Sequence, residues 1–165
     1  MSRMIFFIAG DIDSGKTARL KSVYRSLPLG TSEGFLSVKT YSGVDFTGYE
    51  LVELGSGHAI PLARLSTAYR GGFAKPFAFD RFIFDQSAFD YGCDKILDAA
   101  EDDACLSILI DEAGPMELSG LAFAPALKAI IGSRAHVRKD IYIAARSSCI
   151  GELCSRFGIE TYSML

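Results

Sequence analysis

The chain has 165 residues, 49% of them apolar, and a formal net charge of -3 with no block of like charge. That length suits a single domain over residues 1–165 with a substantial core. A composition without a basic excess does not favour sequence-independent contact with DNA or RNA, so no nucleic-acid partner is expected.

In chain order, "MIFFIA" (Met4 to Ala9) is a continuous apolar run, as expected of a strand covered on both faces. The run is too short for a signal peptide and leads into Gly10 rather than a cleavage site. Lys16 to Leu27 has helical spacing at Ala18, Leu20, Val23, Tyr24 and Leu27, and is stopped by Pro28 and Gly30. Residues 34–65 change character. "GFLSVKTYSG", "FTGYELVELGSG" and "HAIPLARL" are short β-rich pieces punctuated by glycines, which predicts an inserted antiparallel hairpin or meander. "STAYRGGFAKPFAF" reads as a mobile loop and "DRFIFD" as a short strand. Ser87 to Ala100 reads as a helix capped by Asp85 or Ser87. "LSILI" (Leu106 to Ile110) is a second buried strand, Leu121 to Ile131 a helix, and "IYIAA" (Ile141 to Ala145) a third buried strand. "SSCIGELCSRFG" predicts a helix closed by Gly158, and "IETYSM" a last strand. Strands alternating with helices predict an α/β fold, a mainly parallel sheet between two helical layers, with the meander as a decoration. No apolar run is long enough to cross a membrane.

Gly10-Asp11-Ile12-Asp13-Ser14-Gly15-Lys16-Thr17 matches Gly-x-x-x-x-Gly-Lys-[Ser/Thr], the phosphate loop of the Walker A type. By chance the pattern arises roughly once in two hundred chains of this length. Here it follows a buried strand and opens a helix, the context the chemistry needs. Gly10 leaves the strand in a tight turn, and Gly15 lets the backbone approach a phosphate. Loop amides and the helix N-terminus hold the anion. Lys16 reaches the β/γ-phosphates, and the Thr17 hydroxyl is a Mg²⁺ ligand. Asp11 and Asp13 are unexpected beside a polyphosphate. Asp tolerates the left-handed backbone that glycine would adopt at position 13, and both carboxylates are expected to weaken triphosphate binding somewhat.

Asp111-Glu112 ends the strand "LSILI". In a parallel sheet such strand ends face the ligand crevice. Asp111, on a Walker B type strand, is placed where Mg²⁺ needs an oxygen ligand, directly or at one remove, and Glu112 is placed as the base that takes a proton from water and aims it at the γ-phosphate.

The segment "DEAGPMELSG" resembles the Asp-Glu-x-Gly-x-Met-Glu-Leu signature of the thermophile-type nucleoside-triphosphatase family, and "GFLSVKTYSGVDFTGYELVEL", "DRFIFDQSAFDYGCDKIL" and "IYIAAR" are similar to its hairpin and later strands. The resemblance spans most of the chain. It implies a RecA-like P-loop NTPase fold, and Mg²⁺-dependent hydrolysis of nucleoside triphosphates with loose base selectivity. It carries over Lys16 and Thr17 in the loop, Asp111 for magnesium and Glu112 as water activator. The loop is less rich in Gly and Pro than the family's usual one. Ala18 stands where a second Thr is common, leaving one contact near the α-phosphate in doubt. Ala113 and Pro115 replace the more usual Ile and Lys.

Among remaining charges, Arg146 at a predicted strand end is the best candidate for a cation on the nucleotide. The nucleotide-binding set is therefore Gly10 to Ala18 with Arg146, the catalytic pair Lys16 and Glu112, and the metal ligands Thr17 and Asp111. Asp80-Arg81 is read as a strand-edge ion pair, Arg64 and Arg70 as solvated loop residues, and His58 and His136 as surface residues. Cys93, Cys105, Cys149 and Cys154 form no Cys-x-x-Cys pair and read as reduced thiols, which fits a cytoplasmic setting. A nucleoside or small-molecule kinase built on the same loop, and a non-hydrolysing nucleotide switch, stay open as alternatives.

Overall fold

The computed structural model describes residues 3–132 and 138–165. His136 and most of the basic run around it lie outside the described residues. Among the described residues nine strands form one sheet in the order β5-β6-β4-β3-β2-β7-β8-β1-β9. They are β1 (Ile5–Gly10), β2 (Ser32–Ser42), β3 (Asp45–Glu53), β4 (Ala59–Leu65), β5 (Pro76–Phe79), β6 (Phe82–Asp85), β7 (Ser107–Ala113), β8 (Asp140–Arg146) and β9 (Ser163–Met164).

The three apolar runs become β1, β7 and β8, the centre of the parallel half. Phe7, Ile108, Leu109, Ile110, Ile141 and Ala144 are almost wholly buried, because helices cover both faces. β8 lies between β1 and β7: Gly10 pairs with Arg146 on one side, and Ile110 with Ile143 on the other. The sheet is mixed. β2 joins β7 in parallel through Ser32 to Phe35 and then runs on into the antiparallel strands β3, β4, β6 and β5. The expected decoration is thus a continuation of the same sheet, starting at Ser32 rather than at 34. It also takes in Pro76–Phe79, placed by the sequence in a loop. A four-residue edge strand beginning with Pro carries little periodic signal.

Among the described residues helix α1 (Lys16–Ser26) alone covers one face, where Leu20 packs with Ile8, Leu36, Leu109, Tyr142 and Ala144. The other face carries α2 (Gln86–Glu101), α3 (Pro115–Leu118), α4 (Ala124–Ile131) and α5 (Ile150–Phe157) over the larger core. Asp85 caps α2 as expected, accepting from the Ser87 amide at 3.0 Å and hydroxyl at 2.7 Å. Gly158 closes α5 in the left-handed conformation, at φ 69°. The helix expected from Leu121 begins only at Ala124, because Ala122 takes φ 54° and breaks the winding. Only Ser163 and Met164 of the expected last strand pair with β1. All four cysteines are free. Among the described residues no helix is long and apolar enough to cross a membrane.

Candidate active site

The carboxyl ends of β1, β8 and β7 lie side by side, so the loop after Gly10, the end of β8 at Arg146 and the Asp111-Glu112 pair share one edge. The loop's sequence is matched to its shape. A Cβ on Gly10 would collide with the Ser14 hydroxyl, and Gly15 takes φ 84° as it enters α1. Asp13 is left-handed at φ 58°, the conformation argued for it from residue type. Asp11, Ile12 and Ser14 are exposed, as is Ala18 on the first turn of α1. Lys16 is buried at 3% exposure and its Nζ donates to the Asp11 carbonyl oxygen at 2.5 Å.

Thr17 and Asp111 are 94 positions apart in sequence, yet the Thr17 hydroxyl donates to Asp111 Oδ2 at 2.7 Å. The Ser37 amide donates to the same oxygen at 3.1 Å. Asp111 is 2% exposed, and its Oδ1 is buried with no hydrogen-bond partner among the described residues. Burial, reinforced by the neighbouring Glu112 carboxylate, pushes the Asp111 carboxyl up to about 7.

The ladder between β7 and β8 breaks between Ile110 and Ala113, so Asp111 and Glu112 lie in a bulge. Bulges redirect side chains at the cost of regular pairing. Here Asp111 is turned inward and Glu112, at φ 62°, is exposed. Left-handed backbone at a non-glycine costs on the order of 1 kcal/mol and persists where the surroundings enforce it. Glu117 supplies part of that enforcement. Its carboxylate is 1% exposed and accepts from the Gly114 amide at 2.8 Å and the Phe123 amide at 3.4 Å, pinning the turn that follows Glu112. Burial pushes Glu117 up to about 7 against the opposing pull of these amides.

Arg146 pairs with Gly10 in the sheet and shares a cavity wall with Asp111 and Glu112. The other arginines considered are engaged elsewhere. Arg64 donates to the Tyr49 and Ala63 carbonyls, and Arg70 to those of Thr67 and Tyr69. Asp80 and Arg81 do not form the expected ion pair. They are the two-residue turn of the β5–β6 hairpin, and the Arg81 guanidinium lies 5.3 Å from the Phe82 ring centroid and 5.9 Å from that of Phe46. In a two-residue turn the adjacent side chains diverge, and aromatic faces offer the cation a competing site.

Sequence reasoning missed Lys39. Its ammonium pairs with the Asp13 carboxylate at 2.5 Å, reaching the loop from β2. The only signal was strand alternation, which puts Lys39 on the same face as Ser37. The pair holds the Asp13 carboxyl below the usual carboxylate range. It also answers part of the question raised by an acidic phosphate loop, because that carboxylate has its own counter-ion. Glu117 was visible only as part of a motif, without its structural task. Among the described residues no group of three or more His, Cys, Asp or Glu side chains could hold a metal ion, so metal binding here would rest on one carboxylate and one hydroxyl.

A family model described as NTPase matches residues 5–164. The chain belongs to that NTPase family. The fold of this NTPase-family chain is similar to that of a human cancer-related nucleoside triphosphatase, solved in solution, at a TM-score of 0.68 with 19% identity over 99% of this chain and 88% of the other. The crystal structure of THEP1 from the hyperthermophile Aquifex aeolicus is similar at a TM-score of 0.68, with 17% identity over 98% of this chain and 88% of the other. The expected fold class therefore holds: an α/β protein of the P-loop NTPase type, with helices flanking a mixed sheet. No curated protein matches the sequence.

Proposed function

We propose that the chain is a Mg²⁺-dependent nucleoside triphosphatase that releases diphosphate and inorganic phosphate. The observation that carries this reading is the hydrogen bond from Thr17 to Asp111, with Asp111 Oδ1 left unpartnered beside it. A buried carboxylate oxygen without a donor is costly unless a cation or water takes it. A hydroxyl and one carboxylate are hard oxygen donors, the set that suits Mg²⁺ when substrate phosphates complete its coordination. When bound, Mg²⁺ supplies positive charge to the β- and γ-phosphate oxygens.

The chain's own residues do the rest. Backbone amides from Gly10 to Thr17 and the N-terminus of α1 hold the phosphates. Lys16 neutralises the β/γ edge and Arg146 faces the γ-phosphate, where charge develops. The exposed Glu112 carboxylate takes a proton from water as the water oxygen attacks, and the leaving pair departs with the diphosphate. With the phosphates in the loop, ATP, GTP and other triphosphates are all substrates, and base selectivity is loose.

The test is phosphate release over ATP, GTP, CTP, UTP and deoxynucleotides, with and without Mg²⁺. Glu112→Gln is expected to keep nucleotide affinity within about threefold and to lose at least a hundredfold in kcat, the scale of general-base catalysis. Lys16→Ala is expected to lose binding, turnover or both. Unchanged kcat in Glu112→Gln removes the base assignment. Tight binding with no release from the unaltered protein favours a nucleotide switch.

A further inference from the structure

A cavity of about 410 Å³ opens beside Asp111 and Glu112, and no residue of the Gly10–Thr17 loop lines it. Its walls include Leu62, Phe84, Phe89 and Phe123, which belong to the core on the face opposite α1. Asp111, which accepts from the Thr17 hydroxyl, and Glu112 both line it. A triphosphate held by the loop with its γ-phosphate toward these two carboxylates would have the cavity beyond the transferring group. That placement rests on the function proposed above.

The walls say what fits. Rings dominate: Tyr49 and Phe82 have centroids 5.6 Å apart, Phe82 and Phe84 5.8 Å, and Phe84 and Phe89 5.9 Å. A continuous aromatic wall of this kind takes a planar ring system. The polar groups are few. The exposed Asp80, at the β5–β6 turn with φ 54°, and Glu112 present carboxylates, the buried Asp111 and Glu117 line it as well, and among the described residues Arg146 is the one cation lining the cavity. The volume falls within the range of about 300–1,000 Å³ usual for small-ligand sites. Four carboxyl side chains, Asp80, Asp111, Glu112 and Glu117, against one arginine disfavour an anionic ligand, and Arg146 is already assigned to the phosphoryl group.

We propose that this cavity is an acceptor site for an uncharged, nucleoside-sized aromatic alcohol, which replaces water as the recipient of the γ-phosphoryl group. Glu112 takes the hydroxyl proton, and the freed oxygen pair forms the new bond to the γ-phosphorus. The bond from that phosphorus to the β,γ-bridging oxygen breaks, and its electron pair leaves with the nucleoside diphosphate. The products are a phosphate monoester and a diphosphate, with the proton passed from Glu112 to solvent. Asp80 binds hydroxyl or amino groups at the far end of the acceptor.

The test incubates the protein and Mg²⁺ with ATP or GTP, alone and with adenosine, guanosine, cytidine or uridine at millimolar concentration. Diphosphate, inorganic phosphate and nucleoside monophosphate are measured separately. With at least one nucleoside, diphosphate release is expected to exceed phosphate release, with the difference recovered as nucleoside monophosphate. In Asp80→Ala and Asp80→Asn the ratio of monophosphate to inorganic phosphate is expected to fall at least tenfold. This ratio is internal to each reaction and does not depend on how much protein folds. Equal diphosphate and phosphate with all four nucleosides overturns the acceptor site and leaves the triphosphatase reading standing. An unchanged ratio in both Asp80 variants also overturns it. Silence toward ATP and GTP under every condition overturns both readings.

Discussion

Asp13 shows how much one side chain's partner matters. Read from its type alone, the carboxylate repels a triphosphate. In the structure it is paired with Lys39, and both groups are largely exposed, at 61% and 40%. An exposed pair contributes about 0–1 kcal/mol to stability, so its effect should appear in ligand binding instead. Lys39→Ala leaves Asp13 uncompensated beside the phosphates and is expected to raise the Kd of a non-hydrolysable triphosphate about three- to tenfold. Asp13→Gly removes the repulsion and supplies a residue at ease at φ 58°. In the double variant most of the loss is expected to return. A calorimetric double-mutant cycle measures this, and strictly additive effects would remove the coupling.

At the scale of the element, the bulge in β7 is where order is given up for function. A regular strand would send Asp111 and Glu112 to opposite faces in the ladder. The bulge instead buries one beside Thr17 and presents the other at the edge, with Glu112 held left-handed. Glu112→Gly relieves that conformation and is expected to stabilise the fold by about 0.5–1 kcal/mol while abolishing turnover. Glu112→Gln keeps the strain and should show the loss of turnover without the gain. Urea midpoints for the two variants decide it. Equal midpoints would mean that the left-handed residue is not a stability cost. Sequence patterns located this pair because an apolar run ends there. They could not reveal the bulge, since register depends on the partner strand, β8. Nor could they assign Glu117, which stands in the sequence only as one letter of the motif "DEAGPMELSG" and is the buried anchor of the turn.

Across the whole molecule, what was legible followed burial. β1, β7 and β8 are covered on both faces, so each is written as an unbroken apolar run. The Gly-x-x-x-x-Gly-Lys-Thr loop was legible because each fixed position has a local task. The antiparallel half was recognised as β-rich, but Pro76–Phe79 was not seen as part of it and its membership in the main sheet was not foreseen. Strand partners are long-range choices that short windows do not record. The contact of Lys39 with the loop is of the same kind, a meeting of residues that only sheet order brings about.

That sheet order has a kinetic consequence. The loop strand β1 and the acidic strand β7 are not hydrogen-bonded neighbours, since β8 stands between them and is contributed by the last quarter of the chain. Thr17 cannot meet Asp111 until residues 140–146 have been inserted. Parallel pairings across long crossovers are slow to form, so nucleotide binding should return only with the slowest major refolding phase, after most helical signal has recovered. Stopped-flow refolding with a fluorescent nucleotide and with far-ultraviolet ellipticity compares the two directly, and coincident traces would oppose the ordering. A chain that assembles its site last carries no half-built phosphate cradle while it folds, and the ligand then acts as a lock on the finished sheet rather than as a scaffold for making it.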